Sequence, residues 1–343
     1  MKDVKYLMAY TVPMSVVVSF YFKGVFSFTA LAYVFVLIPF LEGIISINND
    51  ELSEIDKQKR ALNRFFDWLL YLNVPIVYYV LCYGIYSFST TSLSIYEYVG
   101  LIFALGILLA TNAVNVAHEL GHRKGKFEIL LTRLLLLPCL YLHFTLEHNY
   151  GHHKYVATEK DPATAKKGQS LYHFWITSVF GQYKNAWRIQ TKLLKKKGAH
   201  FFSIKNNMLL FIIYQVAYLG GVYAFFGVKI FSIALIVGII SFLFLETINY
   251  IEHYALARKK INGKYEKVQH IHSWNSDHIM GRIVLYELTR HSDHHFRASK
   301  KYQVLDSLEN SPTLPFGYPA SMLLALVPPL WFRVIHPKLI ADK

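Results

Sequence analysis

The stretch GLIFALGILLATNAVNVAHELGH, residues 100–122, joins an apolar run directly to two histidines. Together with the residues just before it, the run reaches the length of about 20 apolar residues that crosses a bilayer as a helix. His118 and His122 lie four residues apart, so a continuing helix would place both rings on one face, one above the other. The stretch therefore predicts a membrane helix that ends in a histidine pair able to bind a metal ion.

Three further histidine clusters lie just beyond, or at the end of, apolar stretches. They are EHNYGHH at 147–153, NYIEHY at 249–254 and RHSDHH at 290–295. With the first pair they supply nine candidate metal ligands: His118, His122, His148, His152, His153, His253, His291, His294 and His295. A zinc site uses three or four protein ligands, so nine histidines overfill one zinc. They suit two redox-active transition-metal ions at a membrane surface, and imidazole is compatible with iron, copper, nickel and zinc.

Carboxylates within the same motifs are candidates to orient these histidines. A metal-bound histidine usually donates its second ring N–H to a carboxylate or a carbonyl. Glu119 and Asp293 are the leading candidates for this catalytic-site role, and Glu147 and Glu252 are further ones. His272 and His278 flank the string HSWNSDH near the fourth cluster and are candidates to shape the site.

Composition indicates an integral membrane protein. The 343 residues are 54% hydrophobic with a mean hydropathy of +0.28, and six stretches are long enough to span a bilayer. They are 4–22, 25–45, 65–88, 96–117, 208–226 and 230–250. The two cysteines, Cys82 and Cys139, form neither a Cys-x-x-Cys motif nor a disulfide framework, so no iron–sulfur carrier is expected within this chain.

Basic residues predict the orientation of these spans. The loop 48–64 carries four Lys or Arg and the loop 154–205 carries eleven, whereas the opposite turns carry only Lys23 and Lys229. Positive residues favour the cytoplasmic side, so both termini, the long loops and the histidines are expected there. The net charge of +14 is explained mainly by this asymmetry, and we expect no nucleic-acid partner.

A seventh apolar stretch, 127–144, lies between the first two histidine clusters and contains Pro138. If it crossed the membrane, those clusters would lie on opposite faces, so we interpret it as a re-entrant or in-plane helix; a seven-span topology is the alternative. The fold class is therefore an all-α membrane protein, a six-helix transmembrane bundle with a cytoplasmic, histidine-rich helical catalytic domain. The residues 283–290 are expected to form a helix that leads into the last cluster.

Four regions follow from this topology. Spans one to four occupy 1–117 and include the cytoplasmic loop 46–64, and a catalytic insert with the re-entrant helix occupies 118–205. Spans five and six lie in 206–253, and the C-terminal cytoplasmic catalytic region covers 254–343.

The motifs HELGHR, EHNYGHH, NYIEHY and LTRHSDHH resemble the four histidine motifs of the membrane alkane 1-monooxygenases, which are related to fatty-acid desaturases. The linking strings EKDPATAKKGQSLYHFW and VQHIHSWNSDH are also similar to that family, and the resemblance covers roughly residues 100–315. Two departures stand out: Ala255 replaces a frequent glycine after NYIEHY, and Arg123 replaces a common lysine.

The resemblance implies two non-haem iron ions held by the nine histidines. It also implies O2 as oxidant, electrons from rubredoxin with rubredoxin reductase upstream, and terminal hydroxylation of medium-chain n-alkanes to primary alcohols. Exposed basic residues could dock an acidic rubredoxin or contact lipid, the candidates being Lys166, Lys167, Lys195, Lys196, Lys197, Arg258, Lys259 and Lys260. Phe40, Leu41 and Ile45 are candidates to close a substrate tunnel.

Other functions remain possible from the residues alone. HELGH matches the H-E-x-x-H helix of zinc proteases, in which Glu119 would be the general base, but that leaves seven histidines without a role. A fatty-acid desaturase or hydroxylase, or a xylene-type aromatic-methyl hydroxylase, would use the same metal chemistry. A metal transporter or scaffold would need polar residues in mid-membrane, and the spans contain almost none.

Overall fold

The computed structural model describes residues 2–45, 47 and 51–341. The chain divides into two compact units. The first unit contains Met1–Val36, Asp67–Leu146 and Ala186–Leu245, and the second contains Leu37–Phe66, Glu147–Asn185 and Glu246–Lys343. Both are mainly helical, as the sequence predicts for an all-α fold.

The α-helices, in chain order, are α1 Thr11–Phe22, α2 Thr29–Ala32, α3 Ile38–Ile44, α4 Glu54–Leu62, α5 Arg64–Tyr71, α6 Asn73–Thr90, α7 Ile95–Leu108, α8 Asn115–Gly121, α9 Lys126–Leu136, α10 Phe144–Glu147, α11 His153–Tyr155, α12 Leu171–Lys196, α13 Asn207–His253, α14 Ile279–Val284, α15 His291–Phe296, α16 Tyr318–Ala325 and α17 Pro328–Ala341. Shorter 3-10 helices are Lys2–Tyr10, Gly24–Phe28, His270–His272 and Tyr302–Val304, and π-helical turns are Tyr33–Leu37, Leu109–Val114 and His148–His152. A hairpin pairs β1 Lys260–Ile261 with β2 Lys264–Tyr265.

Four helical stretches within the described residues are long and apolar enough to cross a membrane. They are Gly24–Ile44, Arg64–Thr90, Ile95–Gly121 and Asn207–His253. The first three match predicted spans two, three and four, whereas predicted span one is a 3-10 helix followed by the 12-residue α1. The structure thus confirms the apolar membrane helices, while the count of six spans stays a prediction.

The longest stretch, Asn207–His253, is interrupted where the sequence predicts a turn. An unbroken helix of 47 residues would measure about 70 Å, far more than the hydrocarbon core of about 30 Å. Gly227 adopts φ 75° and ψ 180°, a conformation that is accessible to glycine and costly for other residues. The break falls between predicted spans five and six.

Within the first unit, the predicted outer turns lie close together. The Lys23 ammonium donates to Thr91 Oγ1 at 3.2 Å, and the Lys229 ammonium donates to the Phe88 carbonyl at 2.9 Å. Both contacts are at the end of α6, and Gly24 N–H donates to Glu97 at the start of α7. The three turns therefore occupy one end of the helices of this unit.

Small and polar residues allow close packing in the interior of the first unit. A Cβ atom placed on Gly106 would lie only 2.3 Å from Ile240 Cγ2, so α7 and α13 approach closely at this glycine. Nearby, the buried Asn112 amide donates to Asn73 Oδ1 at 2.8 Å. Side-chain hydrogen bonds and small residues are the usual means by which helices associate inside a membrane.

The segment after the first histidine pair begins with the short helix α9. Its 11 residues span about 17 Å, which is too short to cross the hydrocarbon core. The helix ends two residues before Pro138, and turns follow as far as α10. This geometry is consistent with the re-entrant or in-plane interpretation of 127–144.

The predicted helix 283–290 is wrong. The structure places α14 at Ile279–Val284, and Tyr286 and Glu287 then adopt left-handed φ values of 54° and 56°. The buried Glu287 carboxylate accepts a hydrogen bond of 2.6 Å from Arg282 Nε. Since α14 ends at Val284, the chain enters α15 through a tight turn, which is stabilised by this buried ion pair.

Candidate metal centre

Four buried histidines of the second unit converge on one point. They are His152, His253, His291 and His295, and one ring nitrogen from each lies within 4.8 Å of the corresponding nitrogens of the others. They come from three separate parts of the chain: the π-turn 148–152, the end of α13, and α15. Sequence motifs two, three and four thus meet in a single buried set, as their clustering predicts.

The nitrogen separations within this set fit a shared metal ion. His152 Nε2 and His295 Nε2 are 3.2 Å apart, and His253 Nε2 and His291 Nε2 are 3.1 Å apart. Ligands at 2.0–2.1 Å from a metal and 90° apart would be separated by about 3.0 Å, and tetrahedral ligands by about 3.4 Å. The observed spacings lie in this interval. The donor set is all nitrogen, which suits iron, copper, nickel or zinc.

The other three motif histidines of the second unit form a second group beside the first. The ring nitrogens of His148, His153 and His294 lie within 4.8 Å of one another, and His148 Nε2 is 2.9 Å from His153 Nε2. Neighbouring histidines belong to different groups: His152 lies in the four-histidine set and His153 lies in the second group. The doublet His294–His295 divides in the same way, so each HH pair contributes one ligand to each group.

The HELGH pair lies in the first unit. His118 and His122 lie on successive turns at the end of α8, with ring centroids 5.3 Å apart and ring planes at 75° to each other. The spacing of four therefore places both rings on one helix face, as predicted. The π-helical turn Leu109–Val114 immediately precedes this helix, and π-turns of this kind are frequent at functional sites.

Asp161 is the carboxylate that orients a cluster histidine, and sequence reasoning missed it. Its Oδ2 accepts a hydrogen bond of 2.9 Å from His152 Nδ1, and both side chains are buried. Burial opposes the charged ring, but the Asp161 carboxylate outweighs burial and raises the pKa of His152. Thr164 Oγ1 and Ala163 N–H also donate to this carboxylate. The available signal was the polar string EKDPAT that follows the second motif.

His295, another member of the four-histidine set, is kept in its neutral form. Burial, followed by the charge of neighbouring histidines, lowers the pKa of His295 well below its ordinary value. Neutral imidazole is the form that binds a metal ion. His295 thus presents an unprotonated nitrogen within a set whose four members are all buried.

Glu252 touches the four-histidine set directly. Its Oε2 lies 3.2 Å from His291 Nε2, the same nitrogen that faces His253, and its Oε1 accepts a hydrogen bond of 2.6 Å from the Tyr318 hydroxyl. The carboxylate therefore lies on the metal-facing side of His291. Tyr318 belongs to α16 and carried no signal in the sequence.

The leading predicted carboxylates have other partners. Asp293 Oδ2 accepts hydrogen bonds from Lys300 Nζ at 2.5 Å and from Asp306 N–H at 2.8 Å. Glu119, in the first unit, is 3.4 Å from Arg123 Nη2. A histidine-orienting role for Glu119 or Asp293 stays a prediction without support from these contacts. Glu147 accepts a hydrogen bond of 2.7 Å from Asn185, and burial raises the pKa of Glu147 to about 8.

The predicted tunnel residues differ in exposure. Phe40 and Ile45 are exposed and Leu41 is half-buried, whereas Glu42 between them is buried. Glu42 Oε1 accepts a hydrogen bond of 3.0 Å from Gly281 N–H. Gly317 also contacts this carboxylate so closely that a side chain there would overlap it. The polar residue of this stretch, and not its apolar neighbours, is therefore the one enclosed by protein.

The other predicted residues are also located. His272 is buried and lies 3.3 Å from Glu266, and His278 lies 3.1 Å from Ser276 Oγ. The candidate docking lysines are exposed, and Arg258 is half-buried. Arg258 N–H donates to the carbonyl of Ala157 at 2.7 Å, so the segment after α13 is tied to the loop that follows the second histidine motif.

Comparison with known proteins agrees with the motifs. The fatty acid desaturase family matches residues 94–323 of this chain. Alkane 1-monooxygenase 1 of Alcanivorax borkumensis is 37% identical over 298 residues, which cover 87% of this chain and 73% of that protein. Alkane 1-monooxygenase of Pseudomonas putida is 36% identical over 319 residues, covering 92% and 79% respectively.

A more distant relative is named for a different substrate. The xylene/toluene monooxygenase hydroxylase component of Pseudomonas putida is 30% identical over 295 residues, which cover 83% of this chain and 77% of that protein. The extent of these matches shows the relationship, and the convergence of histidine motifs two, three and four agrees with it. The chain belongs to the fatty acid desaturase family and, within it, to the membrane alkane 1-monooxygenases.

Proposed function

We propose that this protein hydroxylates the terminal methyl group of medium-chain n-alkanes to primary alcohols, using O2 and electrons from rubredoxin. The observation that carries the proposal is the buried set of four histidine nitrogens, in a chain that matches alkane 1-monooxygenases over about nine-tenths of its length. The desaturase family match supports the same metal-dependent oxidative chemistry.

The cofactor is two iron ions held by the nine motif histidines. The set His152, His253, His291 and His295 holds one ion. His148, His153 and His294 belong to the other, and the HELGH pair completes it, as the family motifs imply. Bound iron supplies the reduction of O2 and the oxidation of the C–H bond. The protein orients His152 through Asp161 and excludes bulk water through burial.

The enzyme spans the bacterial inner membrane six times, with both termini and the metal centre on the cytoplasmic side. The basic residues of loops 48–64 and 154–205 favour this orientation. The contacts that gather Lys23 and Lys229 at one end of the first unit are consistent with it. Cysteine variants in the turn at Gly227 and in α4 test the orientation through labelling of intact and permeabilised cells.

Electrons arrive from a separate rubredoxin that is reduced by rubredoxin reductase. Exposed lysines, including Lys166, Lys167 and Lys259, offer a positive surface to an acidic partner. Raising the ionic strength should weaken coupling to rubredoxin and leave the iron content unchanged. If coupling to rubredoxin does not depend on salt, docking on these lysines is refuted.

An aromatic-methyl hydroxylase is the second candidate, because a xylene/toluene monooxygenase component is among the relatives. It shares the metal chemistry and differs in the shape of the substrate route. Competition between octane and xylene in one reaction, with products resolved by gas chromatography and mass spectrometry, separates the two.

The deciding experiment measures metal content and product together. Protein purified in mild detergent from iron-supplemented cells should contain two irons and little zinc, and should form 1-octanol with rubredoxin, reductase and O2. His295→Ala should lose iron and activity, whereas His200→Ala, which alters an exposed histidine outside the clusters, should lose neither. One zinc with no iron would refute the proposal and favour the protease interpretation of HELGH.

A further inference from the structure

Tyr254 follows the metal-set histidine His253 and forms a hydrogen-bonded pair with His336. The side chain of Tyr254 is fully buried, and its hydroxyl lies 2.9 Å from His336 Nε2. Gly168 N–H donates to the same hydroxyl oxygen at 2.7 Å. A backbone N–H can only donate, so the hydroxyl accepts from Gly168 and its own hydrogen is available for His336 Nε2.

His336 is a base at this position. Burial, followed by the positive charge of Lys167, lowers the pKa of His336, so the ring is neutral near pH 7 and its Nε2 can accept a proton. His336 lies in α17 and is partly exposed, whereas Tyr254 is fully buried. The pair therefore connects the buried end of α13 with a residue at the surface of the second unit.

Other oxidisable side chains surround this tyrosine. The Trp331 ring lies 5.5 Å from the Tyr254 ring and 5.6 Å from the Tyr250 ring, measured between centroids, and all three side chains are fully buried. The Trp274 indole donates a hydrogen bond of 2.9 Å to the Tyr254 carbonyl. Tyrosine and tryptophan are among the side chains most easily oxidised by one electron, and Tyr254 directly follows His253 of the four-histidine set in sequence.

We propose that Tyr254 and His336 form a redox-active pair that carries one-electron oxidising equivalents away from the metal centre when no hydrocarbon is bound. The inference rests on the proposed function, because the oxidant is the O2-oxidised metal centre. If that centre were oxidised, one electron would leave the Tyr254 ring to reduce it by one equivalent, and the hydroxyl proton would move to His336 Nε2. An electron from the reductant and the return of the proton then restore the tyrosine.

The pair protects the metal-binding residues. Without hydrocarbon, an oxidised centre buried among seven histidines has no substrate to attack. An adjacent phenol with an attached base gives the oxidising equivalent a reversible path toward the surface. Removing the hydroxyl should direct oxidation to the ligands and to Trp331.

The test is freeze-quench EPR of the iron-loaded protein with O2, rubredoxin and reductase and without hydrocarbon. We expect a tyrosyl radical in the wild type, loss of that signal in Tyr254→Phe, and its retention in Tyr302→Phe. Tyr302 is a matched control, because it is fully buried and donates its hydroxyl hydrogen to a backbone carbonyl, that of Phe66. His336→Gln, which keeps an acceptor but removes the base, should also lose the signal.

A tyrosyl signal that persists in Tyr254→Phe, or the absence of a tyrosyl signal in the wild type, overturns the inference. Mass spectrometry after the same incubation supplies a second readout: oxidised histidine and tryptophan should accumulate faster in Tyr254→Phe than in Tyr302→Phe. Equal accumulation counts against protection. Iron content before incubation must match among the variants, so that misfolding is distinguished from loss of the pair.

A photochemical version separates this inference from the proposed function. A ruthenium photo-oxidant is applied to purified protein carrying 3,5-difluorotyrosine at position 254, whose radical shows fluorine-split EPR lines. Split lines that disappear in the His336→Gln background support the pair even if no alkane is hydroxylated. Alkane hydroxylation without split lines overturns the pair and leaves the proposed function intact.

Discussion

Replacing Asp161 with asparagine tests whether this carboxylate sets the metal affinity of the four-histidine set. In the wild type the carboxylate receives three hydrogen bonds, from His152 Nδ1 at 2.9 Å, Thr164 Oγ1 at 2.6 Å and Ala163 N–H at 3.1 Å. One carboxylate oxygen accepts the hydrogen bonds from His152 and Thr164, and the other accepts the hydrogen bond from Ala163. An asparagine has only one side-chain oxygen, and its NH2 group takes the place of the other. In one orientation of the amide, the NH2 group faces the Ala163 N–H donor. In the other orientation, it faces the His152 N–H donor.

The magnitude follows from this count. Either orientation loses one hydrogen bond and leaves a buried donor facing a donor, which costs about 1–3 kcal/mol. The negative charge that favours the imidazole orientation is also lost, and loss of such a partner typically lowers metal affinity about 10–100-fold. We therefore expect Asp161→Asn to bind the ion of the four-histidine set about 30-fold more weakly, or about 2 kcal/mol.

The assay equilibrates iron-loaded protein with graded concentrations of a chelator and counts the iron that remains. Asp161→Asn should lose one of its two ions at roughly 30-fold lower chelator, while the second ion follows the wild-type curve. Glu266→Gln is the matched control, because Glu266 pairs with His272 outside the metal groups, and it should change neither ion. An Asp161→Asn protein that holds both ions as tightly as the wild type would refute the reasoning.

Three further predictions concern stability, measured by thermal unfolding in detergent. Burial alone would raise the pKa of Asp306, but hydrogen bonds from two lysines lower it below the ordinary value of 3.8. The ionised carboxylate therefore stabilises the fold above that value, and this stabilisation is lost as the pH falls through the folded pKa. Asp306→Asn should flatten the decline in stability below about pH 4. Gly106→Ala would push a methyl group against Ile240 and should cost about 1–3 kcal/mol. Ala255 adopts a left-handed φ of 59° just after α13, so Ala255→Gly should stabilise by about 1 kcal/mol.

Each of these predictions has a control or an outcome that contradicts it. Glu54→Gln removes an exposed carboxylate from the same lysine network and should leave the acid profile unchanged. Gly220→Ala lies in a helix with no atom near the added methyl, so a loss equal to that of Gly106→Ala would contradict the packing argument. A destabilised Ala255→Gly protein would show that the strain at this position is offset by other contacts.

The histidine sets were largely predictable, because their geometry is local. Spacings of three and four within α15, and of four within motifs one and two, place the rings on common helix faces without knowledge of the tertiary fold. The assignment of neighbours to separate groups was not predictable. His152 and His153 point about 100° apart, as neighbours on a helix do, and the group that each one joins depends on the elements packed around it.

The carboxylates show what the sequence argument did not reach, because Asp161 was not among its candidates. Asp293 lies within the fourth motif, but it is about 200° around the helix from His291 and therefore faces away from it; it binds Lys300 and Asp306 N–H instead. Asp161 lies in an irregular loop with no periodicity, and its contact with His152 depends on how that loop folds back. Span boundaries were predictable from hydropathy to within a few residues, except for the first span, whose helix is divided at Tyr10.

The two π-turns at the histidine motifs have a consequence for how this site tolerates insertions and deletions. A π-turn is equivalent to one extra residue in an α-helix, so Leu109–Val114 and His148–His152 each contain a residue that regular helix geometry does not need. Deleting it would keep the helix intact and rotate everything beyond it by about 100°. His118 and His122 would then point in a new direction. Homologues that differ by one residue at these turns would be natural places to look for altered metal chemistry on the same scaffold.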